Sequence, residues 1–142
     1  MSLTALGYGQ VAPQEIVVKK ILIVDDEKDI CQVVQASLEE FGGWQTTLAH
    51  SGQTGLTMAQ AEHPDAILLD VSMPEMDGFE MFAQLQNHPS TQSIPVILLT
   101  SKVLARDRKQ FADLSIAGVI TKPFNPLTIW QQVAALLGWY SN

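Results

Sequence analysis

The sequence predicts an α/β fold, a doubly wound three-layer sandwich of five βα units on a five-stranded parallel sheet. Three observations predict it. Short apolar runs alternate along the chain with segments of helical spacing. The runs are nearly continuous in apolar character, as strands covered by helices on both faces require, rather than strictly alternating. A length of 142 residues with 46% hydrophobic and 16% charged residues suits one core and leaves no room for a second output domain.

Residues 1–18 show no usable periodicity and are read as an N-terminal extension, with Met1-Ser2-Leu3 resembling a cloning remnant; the domain is assigned to 19–142. Ile21 to Val24 is the first strand. Ile30, Val33, Val34, Ser37, Leu38 and Phe41 then recur at three and four residues and stop at Gly42-Gly43, which predicts an amphipathic helix. Trp44 to Ala49, rich in threonine, is a weaker strand expected near a sheet edge. Ser51 is placed to cap a second helix carrying Leu56, Met58 and Ala59. Ala66 to Leu69 is the next strand, and Gly78 to Leu85 the third helix, with Phe79, Phe82, Ala83 and Leu85 on its buried face. Pro95 to Leu99 and Val119 to Ile120 complete the strands. A helix over Leu104 to Leu114 lies between them. A last helix begins at Asn125-Pro126, where asparagine can cap and proline suits the first turn, and buries Leu127, Trp130, Val133, Ala134 and Leu137.

Composition narrows the function. The formal net charge of -7 and the lack of a Lys/Arg stripe argue against direct DNA binding and favour a cation or a basic partner. No apolar run approaches the ~20 residues of a membrane-spanning helix, and no signal peptide opens the chain, so the cytoplasm is the expected location. Cys31, the single cysteine, sits in a helical pattern and reads as a small buried hydrophobe. Trp130 and Trp139-Tyr140 read as core and tail packing.

In open α/β sheets the ligand crevice lies at the carboxyl ends of the strands. There the sequence places Asp25-Asp26 after the first strand, Asp70 after the third, Thr100-Ser101 after the fourth and Lys122 after the fifth. Taken singly, the acidic pair is as readily a solvated turn or helix cap, Thr100-Ser101 a cap, and Lys122-Pro123 a surface turn. Their coincidence at successive strand ends points instead to one crevice. Three neighbouring carboxylates stay ionised most readily around a hard cation with oxygen ligands, Mg²⁺ (or Mn²⁺), whose open positions imply a phosphate-bearing ligand. Lys122 and the Thr100 hydroxyl are then candidates to contact that phosphate.

The motifs Ile21-Leu22-Ile23-Val24-Asp25-Asp26-Glu27, Ala66-Ile67-Leu68-Leu69-Asp70-Val71-Ser72-Met73-Pro74-Glu75-Met76-Asp77-Gly78, Pro95-Val96-Ile97-Leu98-Leu99-Thr100-Ser101 and Thr121-Lys122-Pro123-Phe124 resemble, in order, those of the CheY-like receiver domains of response regulators. The resemblance covers Lys19 to about Leu137. It implies the flavodoxin-like (βα)5 form of the fold with strand order 2-1-3-4-5. It implies a stand-alone switch of a two-component phosphorelay, in which Asp70 takes a phosphoryl group from the phosphohistidine of a sensor histidine kinase or a histidine phosphotransfer protein. Asp26, Asp70 and the Ser72 backbone carbonyl resemble direct metal ligands, with Asp25 acting through metal-bound water. Thr100 and Lys122 resemble the groups that bond phosphoryl oxygens, and Ser72 and Lys102 the positions that tune dephosphorylation. Such a domain is not a conventional enzyme, since it catalyses its own phosphorylation and dephosphorylation. Pro123 resembles the family's cis proline. Met73 and Met76 read as packing residues.

One departure is Val119, where the family often has a Tyr or Phe that moves inward on activation; Ser101 replaces a common alanine. A shift of the face built by the last two helices and last strand is still expected on phosphorylation, toward an unspecified downstream protein, and a homodimer through those helices is compatible with it. The competing reading is a pseudo-receiver, an interaction module that takes no phosphate; such modules lack an acidic or Lys position that this chain keeps. A phosphohydrolase of related fold expects two aspartates separated by one residue, whereas Val71-Ser72 follows Asp70. A dinucleotide enzyme expects a Gly-rich turn after the first strand, which is missing.

Overall fold

All five apolar runs become strands of one parallel sheet: β1 (Lys20–Val24), β2 (Gln45–Ala49), β3 (Ala66–Asp70), β4 (Val96–Thr100) and β5 (Gly118–Thr121), in the order β2-β1-β3-β4-β5. The structure, a computed structural model, describes residues 18–101 and 111–139. Among the described residues the helices α1 (Lys28–Glu40), α2 (Gly52–Glu62), α3 (Gly78–Gln86) and α4 (Ile129–Leu137) connect or flank the strands. The helix expected from Leu104 lies outside the described residues except at its end, where Phe111 is helical and stacks on Phe79 with ring centroids 5.6 Å apart. The predicted extension also lies outside them, apart from Val18.

The alternation of side chains along each strand divides the interior into two layers. Leu22, Val24, Ile67, Leu69 and Leu98 pack on one face with Leu56, Ala59, Met81 and Leu85 of α2 and α3. Ile21, Ile23, Leu68, Ile97 and Leu99 pack on the other with Cys31, Val34 and Leu38 of α1 and Ile129 and Val133 of α4. This is the three-layer sandwich, and it explains the uninterrupted apolar runs: both faces of β1, β3 and β4 are covered. β2, the threonine-rich strand, is at the edge as its composition implies.

The predicted signals act at Ser51 and at the glycines after α1, and α3 adds one of its own. Ser51 Oγ accepts the Thr54 N–H at 3.1 Å. Asp77 and Glu80 form a reciprocal capping box at the start of α3. Gly43 follows α1 with φ +72°, a conformation that favours glycine.

Four side chains assigned to buried stripes differ. Leu127 is 65% exposed, because residues 126–128 form a turn in which Asn125 Oδ1 accepts the Leu127 N–H, so that α4 starts at Ile129 and buries Ile129 instead. Ala83 is exposed, its place on the core taken by Met81. Val33 and Phe41 are 40% and 47% exposed, α1 burying Cys31, Val34, Ser37 and Leu38. Pro95 precedes β4 and contributes its carbonyl to the Ile67 N–H. Met73 is buried in the core and Met76 packs against it, as packing residues should. Trp130 and Trp139 pack on the α1 and α4 layer, Trp139 edge-on to Trp44 at 5.4 Å.

Gly78 fixes how α3 leaves the end of β3. A Cβ there would lie 2.5 Å from the Asp70 carbonyl oxygen and 2.8 Å from Val71 Cα, both backbone atoms that cannot swing aside. Gly78→Ala is therefore expected to cost about 2 kcal/mol despite alanine's better helix propensity. Urea denaturation of the two proteins checks this, and an unchanged midpoint would show that the loop yields.

Candidate functional site

The carboxyl ends of β1, β3, β4 and β5 bring the predicted residues into one crevice. Backbone bonds hold each end in place. The Asp25 N–H donates to Ala49 O at 3.0 Å, the Val71 N–H to Leu99 O at 3.0 Å, and the Lys122 N–H to Thr100 O at 2.8 Å. Asp25, Asp70 and Thr100 are all buried, and Thr100 lies in register with Thr121 on β5. The Lys122–Pro123 peptide is cis, as expected from the motif.

At the centre is the Lys122 ammonium, which donates to Asp25 Oδ2 at 3.1 Å, Asp70 Oδ1 at 3.2 Å and Glu27 Oε1 at 3.4 Å. Carboxylate oxygens of Asp25, Asp26 and Asp70 lie within 4.8 Å of one another. Asp25 is oriented from its other side by the Glu27 N–H, 2.9 Å from Oδ1. Among the groups assigned to the crevice, Glu27 was missed in the sequence. It follows Asp25-Asp26 directly and looks like one more solvated charge at a helix start.

Burial and charge crowding dominate the electrostatics. Burial pushes Asp70 up to about 6, and the charge of Asp25 pushes the same way; Lys122 opposes both. Burial raises Asp25 as well, against the hydrogen bonds from Glu27 and Lys122. For Lys122, burial disfavours the charged form, but Asp25 and Asp70 outweigh it and hold the ammonium above its ordinary value. Among the described residues a single ammonium thus faces three clustered carboxylates and leaves them short of positive charge. Oxygen donors at this separation, underneutralised and partly open to solvent, suit a hard divalent cation.

Ser72 is exposed two residues beyond Asp70, in the loop leading to α3. Lys102 lies outside the described residues. Val119 is half-buried, opposite Leu98 in the β4–β5 register. Cys31 is buried, with its thiol 3.3 Å from the Asp25 carbonyl, and burial followed by the Asp25 charge pushes it up to about 12. It stays a thiol, in keeping with a packing role.

Among the described residues no helix is long and apolar enough to cross a membrane. A family model described as the response regulator receiver domain matches residues 21–134. The alkaline phosphatase synthesis transcriptional regulatory protein of Bacillus subtilis is 37% identical over 84% of this chain and 48% of its own length. The response regulator PleD of Caulobacter vibrioides is 36% identical over 82% of this chain and 26% of its own length. The chain thus spans about half, or less, of the curated relatives it matches. A chemotaxis response regulator of Vibrio cholerae superposes with a TM-score of 0.78 at 29% identity, covering 84% of this chain and 99% of that one. The receiver domain of a signal transduction histidine kinase from Syntrophus aciditrophicus gives 0.75 at 34% identity, covering 85% and 91%. The β2-β1-β3-β4-β5 sheet, the acidic crevice and these similarities agree: the chain belongs to the response regulator receiver domain family.

Proposed function

We propose that the chain is the phosphoacceptor switch of a two-component phosphorelay. The observation that carries this reading is Asp70, at the carboxyl end of the central strand β3, with Lys122 3.2 Å from Oδ1 and two further carboxylates beside it. In the proposed step, an Asp70 carboxylate oxygen attacks the phosphorus of a phosphohistidine. An O–P bond forms, the N–P bond breaks, and the imidazole leaves with the electron pair. Lys122 turns from the Asp70 carboxylate to a phosphoryl oxygen, and the Thr100 hydroxyl donates to another. Asp25, Asp26, Asp70 and the Ser72 carbonyl would hold Mg²⁺ or Mn²⁺, which supplies charge neutralisation for phosphoryl oxygens. Phosphoryl transfer depends mainly on such positioning and neutralisation, and rigid strand ends are suited to both.

A groove of about 400 Å³ beside Lys122, lined in part by Ile30, Val33, Phe124 and Pro126, supports a protein phosphodonor. It also gives the exposed Val33 a role that core packing does not. The donor on this reading is a sensor histidine kinase or a histidine phosphotransfer protein, and the phosphorylated state acts on a further protein rather than on DNA directly.

The test is intact mass after incubation with Mg²⁺ and acetyl phosphate. The native chain gains one phosphoryl group, whereas Asp70→Asn and an EDTA control gain none. A folded, metal-binding native chain that gains nothing would make this an interaction module instead.

A further inference from the structure

We propose that Glu27 is a positioning residue for Lys122, keeping its ammonium at the mouth of the crevice once the other carboxylates are engaged; this rests on the phosphoacceptor reading. The Lys122 ammonium has three acceptors, and two of them, Asp25 and Asp70, belong to the carboxylate cluster that fits a cation. Glu27, 3.4 Å away, is outside that cluster. When a divalent cation draws on the Asp25 and Asp70 oxygens, Glu27 is the acceptor it leaves to the lysine.

The backbone sets Glu27 for this. It is the residue before α1, its N–H is fixed by Asp25 Oδ1 at 2.9 Å, and its carbonyl accepts the Cys31 N–H at 3.1 Å. One residue therefore orients Asp25 with its main chain and Lys122 with its side chain. The carboxylate makes no capping hydrogen bond to α1, so replacing it leaves the start of that helix intact. Its side chain is 62% exposed, which sets the scale: a solvent-screened pair, able to bias where the lysine rests.

The experiment uses the full chain saturated with Mg²⁺ and beryllium trifluoride as the phosphoryl probe. Glu27→Gln and Glu27→Ala both remove the charge, but glutamine keeps an oxygen acceptor. The affinity for the probe is expected to be about two- to five-fold lower for Glu27→Ala than for the native chain, with Glu27→Gln between them. In a Lys122→Ala background that difference should vanish. Equal affinities, or a difference that persists without Lys122, would overturn the proposal. NMR relaxation of the Lys122 side chain in Mg²⁺ without the probe gives a second readout, with greater motion expected in Glu27→Ala than in the native chain. If even the native chain fails to bind the probe but this motion differs, the phosphoacceptor reading falls and the positioning stands. If the motion is the same in Glu27→Ala and in the native chain, the positioning falls whatever the probe does.

Discussion

Lys122→Ala is expected to lower the unfolding free energy of the metal-free protein by about 3 kcal/mol at pH 7.5, the lower end of what breaking a buried ion pair costs. The side chains it would strand are Asp25, fully buried, and Asp70, 4% exposed. Neither can recover its hydration without opening the sheet ends. The loss should shrink at pH 5, where the stranded carboxyls can take protons instead of carrying charge. It should also shrink when Mg²⁺ is added, because the cation replaces the missing positive charge. Urea denaturation at the two pH values, with EDTA and with Mg²⁺, checks all three expectations. An equal loss under every condition would mean that the aliphatic stem of Lys122, rather than its charge, carries the effect.

In the native protein, lowering the pH from 7.5 to 5 should strengthen the contribution of this site in the absence of metal. Asp70 titrates at about 6 in the folded state against 3.8 ordinarily, so its protonated form is the one the fold prefers. A carboxyl raised in this way contributes stability that is fully present below its unfolded value and is lost as the pH rises through the folded one. Between 3.8 and about 6 the difference amounts to on the order of 3 kcal/mol. Burial raises Asp25 in the same direction. Lys122 stays charged throughout this range, so it does not reverse the sign. Asp70→Asn should therefore be more stable than the native chain at pH 7.5 in EDTA, and flatter between pH 7.5 and 5. If the native midpoint fell on acidification as steeply as that of Asp70→Asn, the conflict at Asp70 would not be real. The variant chosen to test the phosphoacceptor proposal is thus also expected to stabilise the metal-free protein, a trade common where a site holds groups the fold alone would not choose.

Much of this arrangement was legible in the residues. The uninterrupted runs from Ile21, Ala66 and Val96 could belong only to strands covered on both sides, and the polar residues ending them had to share one edge of a parallel sheet. Cys31 in its helix and threonine-rich β2 at the sheet edge followed from local pattern. What local pattern misjudged were positions decided by a neighbour. Leu127 has helical spacing, but the Asn125 side chain takes its N–H into a turn and leaves it in solvent. Ala83 lies two positions, about 200°, around α3 from Met81, so the helix that turns Met81 onto the sheet turns Ala83 to solvent. Glu27 reads as one of a run of acids; that it shares Lys122 with Asp25 depends on a contact spanning 95 positions, which no local spacing encodes.

That long reach has a consequence for how the protein is made. The Asp70 partner of Lys122 precedes it by 52 positions and the Asp25 partner by 97, so the three acids of the crevice are synthesised well before their lysine. A nascent chain with β1 and β3 in place but β5 still missing carries the negative charges without the Lys122 ammonium. Lys122 is set among them by the last strand, which pairs with β4 and places the Lys122 N–H on the Thr100 carbonyl. If the crevice works as proposed, a chain that lacks β5 holds its acids but not the lysine that meets the phosphoryl oxygens.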